Sequence, residues 1–562
     1  MKKLFSREFL IVAVFSLFLS LATLAANAQA GAPGGQQGGP PAAMPGTPGG
    51  GAPMWGGAPA KAALYISDGA ENAAKEYTPG QYKANVTSDT KGIKISGLNF
   101  STGDYTVHGV AVDGAKSIVT IENAKIHLGV TKEATKDPGS ALTVDHGATV
   151  YLNHSDLTVD GSGAMAGRYV AFNANGTLVV NDSNLTQTGP NQFTSKIAEP
   201  FMMNALLISG NDRANMSTGS GKTYYFNSTV TTEAWAALST DTCKDVDLYA
   251  YNTKAIALDG GYGNYADTGC RVWLYGVTEK APEIGAIVGD TGQLYVDDGA
   301  HAPADVLKYK LGAKTSAGSV ITGGRNAVVI HVPDMKGEGL AAASNGTLTV
   351  KNSTLATDRN LKTKRDYATY INKATGAYID YVMGADILVK SDSATITLEN
   401  AKLESFSGVA VMTVINSDSM GNFLHNESDG AKVKPIAVSM KNMSVSGDVK
   451  HMDYQRIMTL SLDNATLKGA IVSGSVDDWN KLWTAYDKKD VKWIQNDKWN
   501  TFYGVRLTVG KGSTWQVTGP SQLESLKVED GGSVKGKVMV DGKAVTPAAG
   551  QTYTGKISVT PL

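Results

Sequence analysis

Apolar and polar residues alternate along most of this chain in short runs, and long helical periods are nearly absent. From about residue 91 one unit recurs: apolar-x-apolar-x-Asn-small-x-apolar. It reads VTIENAKI (119–126), VYLNHSDL (150–157), LVVNDSNL (178–185), TYYFNSTV (223–230) and LYAYNTKA (248–255). It returns as LTVKNSTL (348–355), ITLENAKL (396–403), VSMKNMSV (438–445) and LSLDNATL (460–467). Its fifth position holds Asn123, His154, Asp182, Asn227, Asn252, Asn352, Asn400, Asn442 and Asn464.

Two apolar residues spaced by two face one side of a strand. The Asn position bends the chain, because Asn tolerates left-handed backbone angles and bonds its own backbone. The apolar residue three places on points inward again from the next strand. A single unit leaves its apolar edge open, and stacking covers it while pairing each strand above and below. The pattern therefore predicts an all-β chain: a single-stranded, right-handed parallel β-helix (β-solenoid) of about fifteen coils, three short strands to a coil. Longer gaps between units predict loop insertions at 187–215, 300–325, 358–390, 411–432 and 476–503. In the last, Trp479, Leu482, Trp483 and Tyr486 fall at helical spacing and predict a short helix packed on the solenoid.

Composition adds the compartment. Lys2, Lys3 and Arg7 precede an apolar run from Phe9 to Leu24 and the small-x-small triplet Ala26-Asn27-Ala28. This is the layout of a secretory signal peptide, read as residues 1–28. Residues 29–61 are a Gly/Pro/Ala-rich tract that reads as a disordered linker. Residues 62–562 form the solenoid with a C-terminal cap. The expectation is a secreted, extracellular or cell-surface protein, with the periplasm as the other option, monomeric and without a transmembrane segment after cleavage. The formal net charge is −1, and no basic stripe is present to serve nucleic acid.

Cys243 and Cys270 lie about one coil apart. In an oxidising compartment such a pair is a candidate disulfide; the other reading is two separate buried thiols.

The repeat, followed by RLTVGKGSTWQVTGPSQLESLKVEDGGSVKG (506–536), resembles bacterial surface β-helix proteins of the pectin-lyase-like superfamily. It is nearest in style to adhesin-like and autotransporter-passenger solenoids, without their translocator barrel. GSALTVDHGATVYL (139–152) and GGYGNYADTGCRVWLYG (260–276) read the same way. The resemblance implies adhesion, glycan binding or a structural role, with no cofactor. The alternative it also implies is a polysaccharide lyase or glycoside hydrolase on the same fold.

A hydrolase of this kind needs paired carboxylates. Of the conspicuous acidic pairs, Asp297-Asp298 fits a strand-end turn and Asp477-Asp478 begins the tryptophan-rich insertion; turn residues explain both, so no catalytic residue is assigned. His127, His146 and His154 occupy different repeat positions and read as satisfied surface histidines, so no metal is assigned. The candidate binding residues are aromatic. Tyr224, Tyr249, Trp273 and Tyr295 point outward on four successive coils, and Phe226, Tyr251 and Tyr275 run beside them. They are expected to form two flat ladders on which a glycan, a host surface or a matrix partner sits. The competing expectation is ring-on-ring stacking, or cover by a neighbouring loop.

Overall fold

The computed structural model describes residues 61–72, 82–129, 138–161, 168–188, 213–233, 236–289, 291–331, 345–362, 382–391, 393–414, 434–475 and 503–562. The signal peptide predicted for residues 1–28, the linker predicted for 29–61 apart from Lys61, and the helix predicted around Trp479 lie outside them. So do the 476–503 excursion apart from its last residue and most of those at 187–215, 358–390 and 411–432.

The chain is an all-β parallel solenoid with three faces. The first face is a 14-stranded sheet running from Ala70–Asn72 and Ala62–Ser67 to Ile471–Ser473, parallel throughout except for the antiparallel end pair, which leaves thirteen parallel rungs. The second face stacks Gly92–Thr102, Ile118–Glu122, Thr149–Asn153 and their successors in parallel register as far as Ser521–Val528. The third face begins with the second half of Gly92–Thr102, followed by Lys125–Leu128 and Asp156–Asp160, and is continued by a four-stranded sheet ending at Ser533–Lys535. Each coil supplies one strand to each face.

The repeat explains the corner between the second and third faces. All nine residues at its fifth position have positive φ, between 47° and 55°. Gly97 (φ 63°) and Gly276 (φ 63°) occupy the same corner in coils where Asn is missing. The N–H of each corner residue donates to the carbonyl before the next corner: Asn227 to Tyr251 at 3.0 Å, Asn252 to Tyr275 at 2.9 Å, Gly276 to Asp297 at 3.1 Å. Corner amides also bond sideways, with Asn252 Nδ2 donating to Asn227 Oδ1 (2.7 Å), Asn400 to Asn352 (3.1 Å) and Asn464 to Asn442 (2.9 Å).

The small residue after the corner has its own ladder. Ser155, Ser183 and Ser228 each donate a hydroxyl to the carbonyl two residues back, at 2.8, 2.7 and 2.8 Å. The same oxygens accept the backbone N–H of Ala124, Ser155 and Ser183 from the preceding coil, at 3.0, 3.0 and 3.1 Å. Buried backbone donors at each turn are thereby satisfied, which a solenoid must do at every coil.

Inside, the two inward residues of each unit form columns, such as Val150, Leu178, Thr223, Leu248 and Val272 beside Leu152, Val180, Tyr225, Ala250 and Leu274, apolar except at Thr223. Each fully buried aliphatic side chain of this kind contributes about 1.5–3 kcal/mol. The first face departs from alternation, because residues on both of its sides are buried: Phe172, Met216, Ile287, Val329 and Leu388 as well as the inward Val328 and Ile387. Its strands therefore read as near-continuous apolar runs.

Both ends are closed by antiparallel strands. Lys83–Asp89 folds back on Gly92–Thr102 at one end. At the other, Gln551–Thr560 runs antiparallel to Ser521–Val528 and Lys537–Val540.

Candidate functional site

On the second face, three outward columns run along the solenoid. Register fixes them. The middle column contains Tyr151, Val179, Tyr224, Tyr249, Trp273, Tyr295, Thr349 and Thr397 on consecutive rungs. The column on the corner side contains Asn153, Asn181, Phe226, Tyr251, Tyr275, Asp297, Lys351 and Glu399. The far column contains Lys222, Asp247, Arg271, Gln293, Thr347 and Thr395.

The four middle aromatics are half-buried and stack on one another. Ring centroids are 5.2 Å apart for Tyr224–Tyr249, 5.7 Å for Tyr249–Trp273 and 3.9 Å for Trp273–Tyr295, with planes within 9° of parallel. Tyr309 leans on Tyr224 at 5.0 Å and on Tyr151 at 6.5 Å. Such pairs contribute about 0.5–1.5 kcal/mol each beyond their burial. The geometry corrects the picture of a flat platform. The faces of Tyr249 and Trp273 are each occupied on both sides by neighbouring rings, because rungs about 4.8 Å apart bring the rings into mutual contact. Solvent meets their edges. Tyr295 differs: its second face looks toward the Gly346–Lys351 rung, where its partner Thr349 carries no ring.

The corner-side aromatics are covered. Phe226, Tyr251 and Tyr275 are buried and form a cluster with Val179, Ala302 and Val306, against which Leu307 and Tyr309 also pack. Ala302, Val306, Leu307 and Tyr309 belong to a strap, residues 299–317, with one short 3-10 turn at Gly299–His301 and one α-turn at Ala304–Leu307. The strap leaves the solenoid after Asp297 and runs back across four coils. Asn181 Oδ1 accepts from Leu311 N–H (2.9 Å) and Asn227 Nδ2 donates to Leu311 carbonyl (2.8 Å). The Tyr251 hydroxyl accepts from Thr315 N–H (2.7 Å) and donates to the Thr315 carbonyl (3.1 Å). Phe226, Tyr251 and Tyr275 are thus floor beneath the strap and not a ligand surface. The glycine at 276 follows from the same contact: a Cβ there would meet Thr315 Cγ2 at 2.7 Å.

The far column is charged but balanced. Lys222 Nζ pairs with Asp247 at 2.7 Å and with Asp245 at 3.1 Å, and Arg271 pairs with Asp245 at 2.6 Å and also with Asp247. Burial opposes ionisation of Asp247, but the hydrogen bonds from Arg271 and Lys222 outweigh it and hold its carboxyl below the usual range. Burial pushes the Tyr224 hydroxyl up to about 12 and raises that of Tyr249 as well, so both are neutral donors at physiological pH. The next rung is capped by Tyr295, whose hydroxyl donates to Gln293 Oε1 at 2.8 Å.

Cys243 and Cys270 are joined by a disulfide, with Cα atoms 5.5 Å apart. It clamps the turns that present Asp245 and Arg271.

The acidic pair Asp297-Asp298 lies at the root of the strap. Asp298 Oδ1 accepts from Ala300 N–H (2.9 Å) and His301 N–H (3.1 Å), and Asp297 Oδ1 accepts from Asp298 N–H (2.8 Å) and Asn352 Nδ2 (2.8 Å). Asp297, Asp298 and His301 bring ligand atoms within 4.8 Å of one another, but their contacts are those of a capped turn. His127, His146 and His154 do not converge; each faces its own aspartate, Asp160 at 3.4 Å, Asp113 at 2.6 Å and Asp182 at 3.9 Å. Asp477-Asp478 lies outside the described residues.

Among the described residues no helix is long and apolar enough to cross a membrane. Set against family models, curated proteins and solved structures, the chain matches none.

Proposed function

We propose that this is an exported, non-catalytic surface solenoid of the pectin-lyase-like kind that contacts a glycan or a matrix through its second face. The carrying observation is the half-exposed middle column from Tyr224 to Tyr295, set between the strap and the balanced ion row. An aromatic strip of this extent is a common mark of a contact surface. The fixed hydroxyl and ring edges supply hydrogen bonds and apolar area at low entropic cost, since the rings are already ordered by stacking. The N-terminal signal pattern supports export, and the three parallel faces with Asn corners support the superfamily reading.

The test is binding of the purified mature protein to a glycan array and to cell-wall material, compared with a Tyr249→Ala/Trp273→Ala double variant that keeps the wild-type circular dichroism spectrum. Binding that drops at least tenfold in the variant supports the reading. Release of new reducing or unsaturated ends from any bound polysaccharide would overturn the non-catalytic part.

A further inference from the structure

We infer that the gap above Val179 in the aromatic column is a subsite for one pyranose ring of the glycan, closed in this structure by the side chain of Tyr309. This inference rests on the glycan reading above and adds to it a site and a gate.

The column is interrupted at one place. Tyr151, Val179 and Tyr224 stand in register on consecutive rungs, so the two tyrosines are two rungs, about 10 Å, apart. Stacked rings keep their centroids about 4.5–7 Å apart, so the gap has room for one ring and no second. Val179 is its floor and is fully buried. The ring that fills it comes from the strap. Tyr309 lies 6.5 Å from Tyr151 and 5.0 Å from Tyr224, centroid to centroid. Its backbone is tied to the rung of Val179: Asn181 Nδ2 donates to the Tyr309 carbonyl (3.3 Å), and Asn181 Oδ1 accepts from the Leu311 N–H (2.9 Å).

Three features make Tyr309 a stand-in and not a fixed member of the column. Its ring is tilted 46° and 47° to those of Tyr151 and Tyr224, whereas the rings from Tyr224 to Tyr295 lie within 9° of parallel. It is only half-buried, so solvent already reaches it. Its hydrogen bonds to Asn181 and to the Val306 carbonyl (3.3 Å) are made by the backbone, and a change of side-chain rotamer leaves them in place. An incoming pyranose replaces the contacts that the departing ring gives up. The tyrosine faces meet its C–H faces and Val179 meets its edge. Its hydroxyls face Thr149 and Thr177, which stand half-buried in the far column on the rungs of Tyr151 and Val179. The subsite is continuous with the Tyr224–Tyr295 strip, so one glycan chain can engage both. Because the sugar enters only when Tyr309 is out, the gate lowers the apparent affinity by the fraction of molecules that are open.

The experiment titrates the mature protein and its variants on the glycan array and, by calorimetry, with hexasaccharides of cellulose, xylan and chitin, with an aromatic peptide as control. Tyr309→Ala should bind at least fivefold tighter than wild type, and Tyr309→Phe should match wild type within twofold. Val179→Tyr added to Tyr309→Ala builds the missing ring into the column and should cancel the gain. Circular dichroism and thermal unfolding confirm that each variant folds. In the otherwise unchanged chain, a 3-fluorotyrosine at position 309 should shift its fluorine resonance on saturation with a bound saccharide. Binding by a folded Tyr309→Ala that is no tighter than wild type, or an unmoved resonance, would overturn the subsite and leave the glycan reading, which is judged at Tyr249 and Trp273. A gain that survives Val179→Tyr would overturn the placement. A gain confined to the peptide would overturn the choice of a sugar. Binding of no saccharide by wild type or by Tyr309→Ala would overturn both readings.

Discussion

The ring of Trp273 lies 3.9 Å from that of Tyr295, centroid to centroid, with the two planes 9° apart. Yet the Trp273 indole Nε1 is buried without a hydrogen-bond acceptor among the described residues. Stacking and an orphaned donor thus meet in one side chain. An unsatisfied buried donor costs about 1–3 kcal/mol. Trp273→Phe should therefore leave stability unchanged or raise it by up to about 1 kcal/mol, while Trp273→Ala should lower it by about 3 kcal/mol through lost packing. Urea unfolding of both variants checks this.

Asn252 has φ 48° and donates to Asn227. Asn252→Ala loses that bond and places a Cβ-bearing residue without a polar side chain in the left-handed region, which costs about 1–2 kcal/mol. Asn252→Gly loses only the bond. The alanine variant should be the less stable of the two in a chemical denaturation series.

Glu279 points into the core, with buried Ala255 and Ile321 as ladder partners. Burial raises its carboxyl to about 8, against the lowering influence of a hydrogen bond from Asn264 at 2.6 Å. The unfolded chain sheds this proton near the ordinary glutamate value of 4.5. Between those values only the unfolded state is deprotonated, so this group lowers stability as pH rises from 4.5 towards 8. Below that window its contribution is intact. Glu279→Gln keeps an acceptor for Asn264 and removes the proton. The variant should show a flatter stability–pH curve and exceed wild type at pH 8; parallel curves would refute the assignment.

The Cys243–Cys270 bridge closes a loop with a sequence separation of 27. In the chain-entropy picture such a loop contributes about 3.5 kcal/mol. Cys243→Ser/Cys270→Ser should lower stability by a few kcal/mol. It should also loosen Asp245 and Arg271, read as faster hydrogen exchange across 243–271.

Gly276→Asn would restore the ordinary corner residue while pushing a side chain into Thr315. The corner should survive and the strap should lift. Hydrogen exchange should accelerate at Gly299, whose N–H donates to the Ala317 carbonyl at 3.0 Å, and at Thr315, with the solenoid amides unchanged.

The Asn corners and inward columns were legible because each coil states the same rule in the same residues. All nine corner positions took the backbone angle that their chemistry suggests. Gly97 and Gly276 escaped the pattern because the shared requirement is a positive φ, which glycine meets without the motif. The first face was illegible for another reason: buried on both sides, its strands lose the alternation that marks direction. Glu279 stands at an inward position where the pattern calls for an apolar residue. The outward aromatic register was readable from the repeat, but the mutual stacking of those rings and the path of the strap were not. Both depend on contacts between coils, and the strap reaches residues more than a hundred positions away, as with Leu311 and Asn181.

The antiparallel strands at the two ends have a further consequence. A parallel stack with a bare last rung would template the next chain and grow without limit. Here Lys83–Asp89 and Gln551–Thr560 turn the terminal edges of the second face to the wrong polarity for another coil. The described stack is therefore of set length. Thirteen parallel rungs at about 4.8 Å each give a rod of roughly 60 Å, and its length is written in the gene as a number of coils.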